Sequence, residues 1–209
     1  MAAGPRQRLS SDPMSLRRRA MKGNRTGMAI LKIARMGHPV LIQRAEPVAD
    51  PTAPEIRRLI ADMVETMEDA GGAGLAAPQV HVPLRVFIFR VPPERSSGDG
   101  DDAPMATTVL INPTVEAVGE AHELRWEGCL SIPGLRGAVP RFSRIRYHGV
   151  DAEGRAFGRE ATGFHAGVVQ HENDHLDGIL YPMRMTDFTL FGFTEDLARA
   201  AQMQQETAG

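Results

Sequence analysis

The sequence has one cysteine, Cys129, in 209 residues. No internal disulfide can form, so nothing in its thiol content points to an oxidising compartment. Long apolar runs are missing too. Residues 1–27 have no apolar run long enough for a signal-peptide core, and no segment could span a membrane. Net charge is small, −2 at pH 7, and gives no overall footprint for nucleic acid. No internal repeat is apparent, and no linker divides the chain.

Apolar residues make up 42% of the chain, enough for one packed core, and charged residues make up an ordinary 24%. The charge is unevenly spread. Residues 1–27 carry seven basic side chains against one acid, Asp12, for a net +6, which leaves −8 on residues 28–209. The basic segment reads as a disordered extension, an upstream start, or a transit-like peptide. "MAILKIARMGHPVL", from Met28, reads as a natural beginning. The expected organisation is this extension followed by a single catalytic domain over 28–209. The expected location is the cytoplasm, or an organelle if 1–27 is a transit peptide.

"PEIRRLIADMVETMEDAGG" predicts a helix. Pro54 suits its first turn, Ile56, Leu59/Ile60, Met63 and Met67 form one apolar stripe, and Gly71 suits its end. "GAGLAAPQVHVP" reads as a Gly/Pro-punctuated loop and "LRVFIFRV" as a buried strand. "PPERSSGDGDDAPMA" reads as a mobile polar loop, and "TTVLINP" as a strand ended by Pro113. "TVEAVGEAHELRWEG" predicts strand with a bend at Gly119, and "RIRYHGVDAEGRAFGREA" a hairpin. Thr162 is placed to cap a helix running to about Leu176, with Asp177-Gly178 as its stop. "TEDLARAAQMQQ" predicts a C-terminal helix over about 194–204, capped by Thr194. Helix, then strands, then helices is an α+β order with antiparallel pairing.

"VVQHENDHLDG", Val168–Gly178, contains H-E-x-x-H. Phe164, Val168, His171 and His175 step by 4, 3 and 4, so they share one helix stripe. Histidines at i and i+4 can hold one metal between them, and Glu172, one step round, can take a proton from water. The other histidines read as ordinary side chains. A third ligand is still needed. Gly178 is in register for H-E-x-x-H-x-x-G-x-x-H, but position 181 is tyrosine, a poor ligand there. Glu195 has no motif around it. Cys129, in "EGCLSIPG", is the remaining soft donor. The Gly72-x-Gly74-x-x-Ala77 spacing matches a dinucleotide fingerprint, but a predicted helix precedes it and Pro78 follows, so no nucleotide site is expected.

"GAGLAAPQ" (Gly72–Gln79), "EGCLS" (Glu127–Ser131) and "QHENDH" (Gln170–His175) occur in this order. Together they resemble the three signature motifs of peptide deformylases, over roughly residues 28–185. One departure is Ala73, where the family usually has Ile or Val. The resemblance implies antiparallel sheets packed around a central helix bearing H-E-x-x-H, with N- and C-terminal helices. It implies a metal held by Cys129, His171 and His175, with water in the fourth position. Three protein ligands and one open position is the catalytic arrangement. It further implies removal of formate from formyl-methionyl peptides, with Glu172 carrying the proton. Gln79 and the Leu130 amide would steady the oxyanion. Gly72, Ala73 and Gly74 would lie along the peptide backbone, with Arg136 nearby. Phe164, Gly167 and Val168 would wall the methionine slot, made roomier by Gly167. Trp126 reads as local packing. Fe²⁺ is the implied native ion, with Zn²⁺, Ni²⁺ or Co²⁺ able to substitute. The ribosome is a conceivable partner; DNA and membranes are not expected. A metallopeptidase and a non-catalytic metal module are the other readings. The first would not need Cys129, and the second should lack the Glu172–Gln79 pair.

Overall fold

A computed structural model describes residues 29–208, with side chains to residue 204. The basic segment 1–27 and the start read at Met28 lie outside the described residues. Helix α1 (Pro54–Asp69) begins with Pro54 and carries Glu55 in its first turn, where an acid suits the positive end of the helix dipole. Its buried stripe is Ile56, Ile60, Met63, Thr66 and Met67, and Gly71 follows with φ +64°.

The strands form two antiparallel sheets, so the architecture is α+β. The first comprises β1 (Gly74–Ala76), β2 (Val86–Val91), β3 (Met105–Ala117), β6 (Arg144–Val150) and β7 (Ala156–Thr162), paired in that spatial order. The second pairs β4 (His122–Cys129), β5 (Ile132–Phe142) and β8 (Phe191–Phe193). Strand β2 shows why its sequence is a continuous apolar run. Phe87 and Phe89 join one core cluster with Leu110, Tyr147 and Val169. Val86 and Ile88 face the other way and join Met63, Met67 and Ile111. With a side-chain period of two, a strand buried on both faces has no polar positions to alternate.

Helix α2 (Gly163–Leu176) packs mainly on β2 and β1, and α3 (Thr194–Ala208) lies against β5 and β8. No helix among the described residues is long and apolar enough to cross a membrane.

Several expectations need correction. Pro113 does not end its strand; β3 runs on to Ala117 through a register shift between Ile111 and Thr114. Proline has no N–H for the ladder, and an irregularity is where a strand tolerates it. Asn112 adopts φ +50° beside it. Its side-chain amide instead exchanges two hydrogen bonds with the Val48 backbone, at 2.8 and 2.9 Å. The glycine-rich segment is not all loop, because Gly74–Ala76 pairs with β2 as an edge strand. Residues 132–142 drew no strand prediction, yet they form β5. Their prolines and glycines (Pro133, Gly134, Gly137, Pro140) obscure the pattern. The C-terminal helix continues past 204 to Ala208.

The Thr162 side chain makes no capping bond. Asp102 does that job from 63 residues upstream, accepting from the His165 N–H at 2.9 Å. A Cβ on Gly163 would overlap the Asp102 carboxylate, so a glycine opens the helix. The other Asp102 oxygen accepts from Ser97 N–H, so one carboxylate joins the polar loop to the start of α2.

His165 is fully buried in this corner. Its Nδ1 lies 3.2 Å from the Asp101 carbonyl, which only accepts, so Nδ1 carries the proton and Nε2 accepts from the Tyr147 hydroxyl at 3.0 Å. Burial, helped by the Arg159 charge, pushes His165 down to about 4. The unfolded chain takes up this proton near the usual histidine value of ~6.5, while the folded chain refuses it down to about 4. Stability from this group is therefore complete above pH ~6.5 and is lost as pH falls toward 4. Urea melts from pH 7 to 4.5 should show His165→Gln with a shallower loss than wild type. Parallel losses would remove His165 as a source of the acid sensitivity.

Candidate metal centre

Helix α2 is not the one-sided helix that its 4-3-4 stripe suggests. His165–Glu172 and Asp174–Leu176 are all buried, and the helix contacts β1, β2, β3, β5, β6 and β7. His171 and His175 nonetheless stand one turn apart, rings 5.1 Å between centroids. Strand β4 brings Cys129 to them at its last residue. The candidate donor atoms of Cys129, His171 and His175 lie within 4.8 Å of one another, and Cys129 Sγ is 3.2 Å from His175 Nε2. Among the described residues no other cluster of three His, Cys, Asp or Glu side chains is close enough to hold a cation.

The chemistry of the donors fits a borderline transition ion. His171 Nδ1 donates to Glu127 Oε2 at 2.7 Å, which leaves Nε2 for the cluster. Burial alone would raise the Cys129 thiol, but the charge of His175 and hydrogen bonds from His171 and His175 bring it well below its usual range. A thiolate is the form that ligates. Tyr181 is buried and stacks on His171, with ring centroids 6.1 Å apart and 27° between planes. It packs on His171 instead of joining the donor cluster. Glu195 is exposed on α3.

Glu172 is buried beside the cluster, and its Oε2 has no hydrogen-bond partner among the described residues. Burial pushes its carboxyl up to about 7, against the pull of the two histidines. A group near neutrality can both take and return a proton. Gln79 is buried on the other side. Its Oε1 accepts from Ala76 N–H at 2.8 Å, which turns the amide nitrogen toward Ser131 Oγ (3.2 Å) and Cys129 Sγ (3.5 Å).

Four side chains that brace the site, Glu127, Arg141, Asp174 and Arg184, drew no role from the sequence. Burial alone would raise the Glu127 carboxyl, but Arg141 and His171 hold it down to about 2. Arg141 Nε and one terminal nitrogen bond Glu127 at 2.6 and 3.0 Å, while the other reaches Asp174 at 2.6 Å. Arg184 reaches the same Asp174 at 2.7 Å. This chain of charges fixes the ring and tautomer of His171, as outer partners of a metal ligand commonly do. Glu127 was legible in principle. It stands two before Cys129, and residues two apart on a strand face the same way. Asp174 lies inside "QHENDH", but nothing local marks Arg141 as its partner.

Cys129, Leu130, His171, Glu172 and Gln79 line an open cleft of about 1240 Å³. Gly72, Ala73, Gly74, Arg136, Phe164, Gly167 and Val168 line it as well. Trp126, expected as packing, is 43% exposed on the same cleft. The Arg95 guanidinium sits 3.9 Å over the Phe164 ring. Burial and the nearby charge of Arg136 lower its pKa.

The polypeptide deformylase family model matches residues 30–190. Peptide deformylase 2 of Ralstonia nicotianae is 55% identical over 168 residues, covering 80% of this chain and 94% of that protein. The peptide deformylase of Ehrlichia chaffeensis in complex with actinonin superposes with a TM-score of 0.72 at 31% identity, covering 86% of this chain and 99% of that one. A class I type b peptide deformylase from Acinetobacter baumannii, with Met-Ala-Ser bound, gives 0.68 at 32% identity over 76% of this chain and all of that one. With matches of this extent and identity, the chain belongs to the polypeptide deformylase family.

Proposed function

We propose a residue-level course for the reaction of this family member, removal of the N-terminal formyl group from nascent polypeptides. The observation that carries it is the buried Glu172 carboxyl, its Oε2 unpartnered among the described residues, beside the Cys129–His171–His175 cluster, with Glu172, Cys129 and His171 lining one cleft. Cys129 Sγ, His171 Nε2 and His175 Nε2 would hold a divalent cation. When bound, such an ion supplies Lewis acidity, making water a better nucleophile near neutral pH and polarising a carbonyl. Glu172 removes a proton from the water that attacks the formyl carbon. It then gives that proton to the amine nitrogen as the C–N bond breaks, releasing formate and a free amino terminus. Gln79 Nε2–H and the Leu130 N–H donate to the formyl oxygen as it gains charge. Strand β1 is the edge of its sheet, paired with β2 on one side only, and the substrate backbone adds along its other side as a further strand. The solved relative holding Met-Ala-Ser supports a methionyl peptide as the occupant.

We read α2 as the centre around which both sheets are packed; its almost complete burial supports this. The reaction is placed in the cytoplasm, near the ribosome that makes formyl-methionyl chains. The test of activity is formate release from formyl-Met-Ala-Ser by protein purified without air. A fully metal-loaded protein that releases none defeats the reading.

Fe²⁺ is proposed as the native ion, with Zn²⁺, Ni²⁺ and Co²⁺ as substitutes. Ferrous iron beside a thiolate is open to oxidation at the metal and at sulfur. The iron form should lose activity in air while a Ni²⁺-loaded sample keeps it. Equal half-lives for the two would refute this assignment.

A further inference from the structure

Gly167 lies on the face of α2 that lines the cleft, between Phe164 and Val168 on one side and His171 on the other. A glycine there should leave a hollow in the wall. The hollow is filled from another element. A Cβ built on Gly167 would meet Arg125 Cδ at 3.2 Å and Nε at 3.7 Å. Arg125 belongs to edge strand β4 and lines the same cleft. Its stem lies across the glycine, and its tip reaches Glu123 Oε2 at 2.6 Å.

Two features show that packing of its stem, more than polar contacts of its tip, defines this wall. Arg125 Nε is buried and has no hydrogen-bond partner among the described residues, so its present placement leaves a donor unused. Its ion-pair partner among the described residues, Glu123, is 53% exposed, and such pairs hold a side chain weakly. A wall made by a side chain of α2 itself would be fixed by the helix. Here the stem of an edge-strand arginine takes that place, packed on Gly167.

We propose that Arg125 is a specificity-determining residue: laid over Gly167, it sets the upper size of the first side chain that the cleft accepts. This rests on the deformylase reading above. With Arg125 in place, the slot suits an unbranched chain such as methionine. Without its stem, the hollow over Gly167 admits an aromatic ring.

The test is kcat/KM for formyl-Met-Ala-Ser and formyl-Phe-Ala-Ser, measured on the same sample of each protein. The Phe/Met ratio cancels differences in folding, metal loading and catalytic power. Arg125→Ala should raise that ratio on the order of tenfold, the usual scale for a methylene or two in an apolar slot. Arg125→Lys, which keeps the stem and the positive charge, should hold the ratio near wild type. A ratio that stays within threefold in Arg125→Ala overturns the proposal, as does Arg125→Lys broadening as much as Arg125→Ala. If wild type releases formate from neither peptide, the deformylase reading fails instead.

Discussion

Glu172→Gln is expected to lower kcat for formate release by roughly 10²–10⁴-fold, the range for removing a positioned proton carrier. Bound metal should stay at the wild-type level. The argument is geometric. Glu172 follows His171 by one residue, so it points about a quarter turn away from the face shared by the two histidines. It is not needed to complete the donor cluster of Cys129, His171 and His175. Its Oε2 has no competing partner among the described residues, and burial brings the carboxyl to about 7. Glutamine has the same shape but cannot carry the proton. Metal content by elemental analysis and kcat by formate assay separate the roles. Loss of metal would make Glu172 a ligand, and a kcat within tenfold of wild type would end its role as proton carrier.

The second large effect belongs to a position that carries no chemistry. A Cβ on Gly74 would overlap Glu172 Oε1 and stand 2.6 Å from its Cδ. Either the carboxyl leaves its position or edge strand β1 retreats. Misplacement by about 1 Å can cost on the order of 10²-fold. Gly74→Ala should therefore reduce kcat by about 100-fold or more, with metal content unchanged. Gly72→Ala is the contrast. Its Cβ would meet Leu130 Cδ1 at 3.0 Å and Met67 Cγ at 3.2 Å, the flexible parts of side chains that can shift. It should cost far less. Equal losses in the two variants would mean that the strand as a whole, and not the Glu172 contact, responds to added bulk.

These glycines show how the sequence carries the site. "GAGLAAPQ" is legible as a stretch where a backbone must come close to something. The sequence could suggest a peptide as the neighbour, but not that Gly74 also makes room for Glu172. The same holds at α2. The 4-3-4 step of Phe164, Val168, His171 and His175 placed both histidines on a buried stripe, and both are buried. It could not tell that the remaining faces are covered too, because coverage depends on what folds over the helix.

Capping divides the same way. Gly71 and Gly178 were readable as helix stops, and both adopt positive φ, +64° and +72°. Thr162 had the right residue type for a start signal. The carboxylate that does the work, Asp102, sits in a polar loop that looked like filler. Pro113 misled because a proline ends a regular strand, whereas β3 takes it at an irregularity.

By itself the sequence determined what depends on local geometry. A helix turn of 3.6 residues puts His171 and His175 together with Glu172 beside them. Apolar spacing sets α1, and turn residues set the hairpin of β6 and β7. Only the tertiary structure decided which distant groups meet: Cys129 with His175, Arg141 between Glu127 and Asp174, Asp102 at the start of α2, and Arg125 over Gly167. The reason is physical. Those contacts join residues 14 to 63 apart in the chain, and they follow from sheet register and from how helix and sheets dock, which no local spacing of residues encodes.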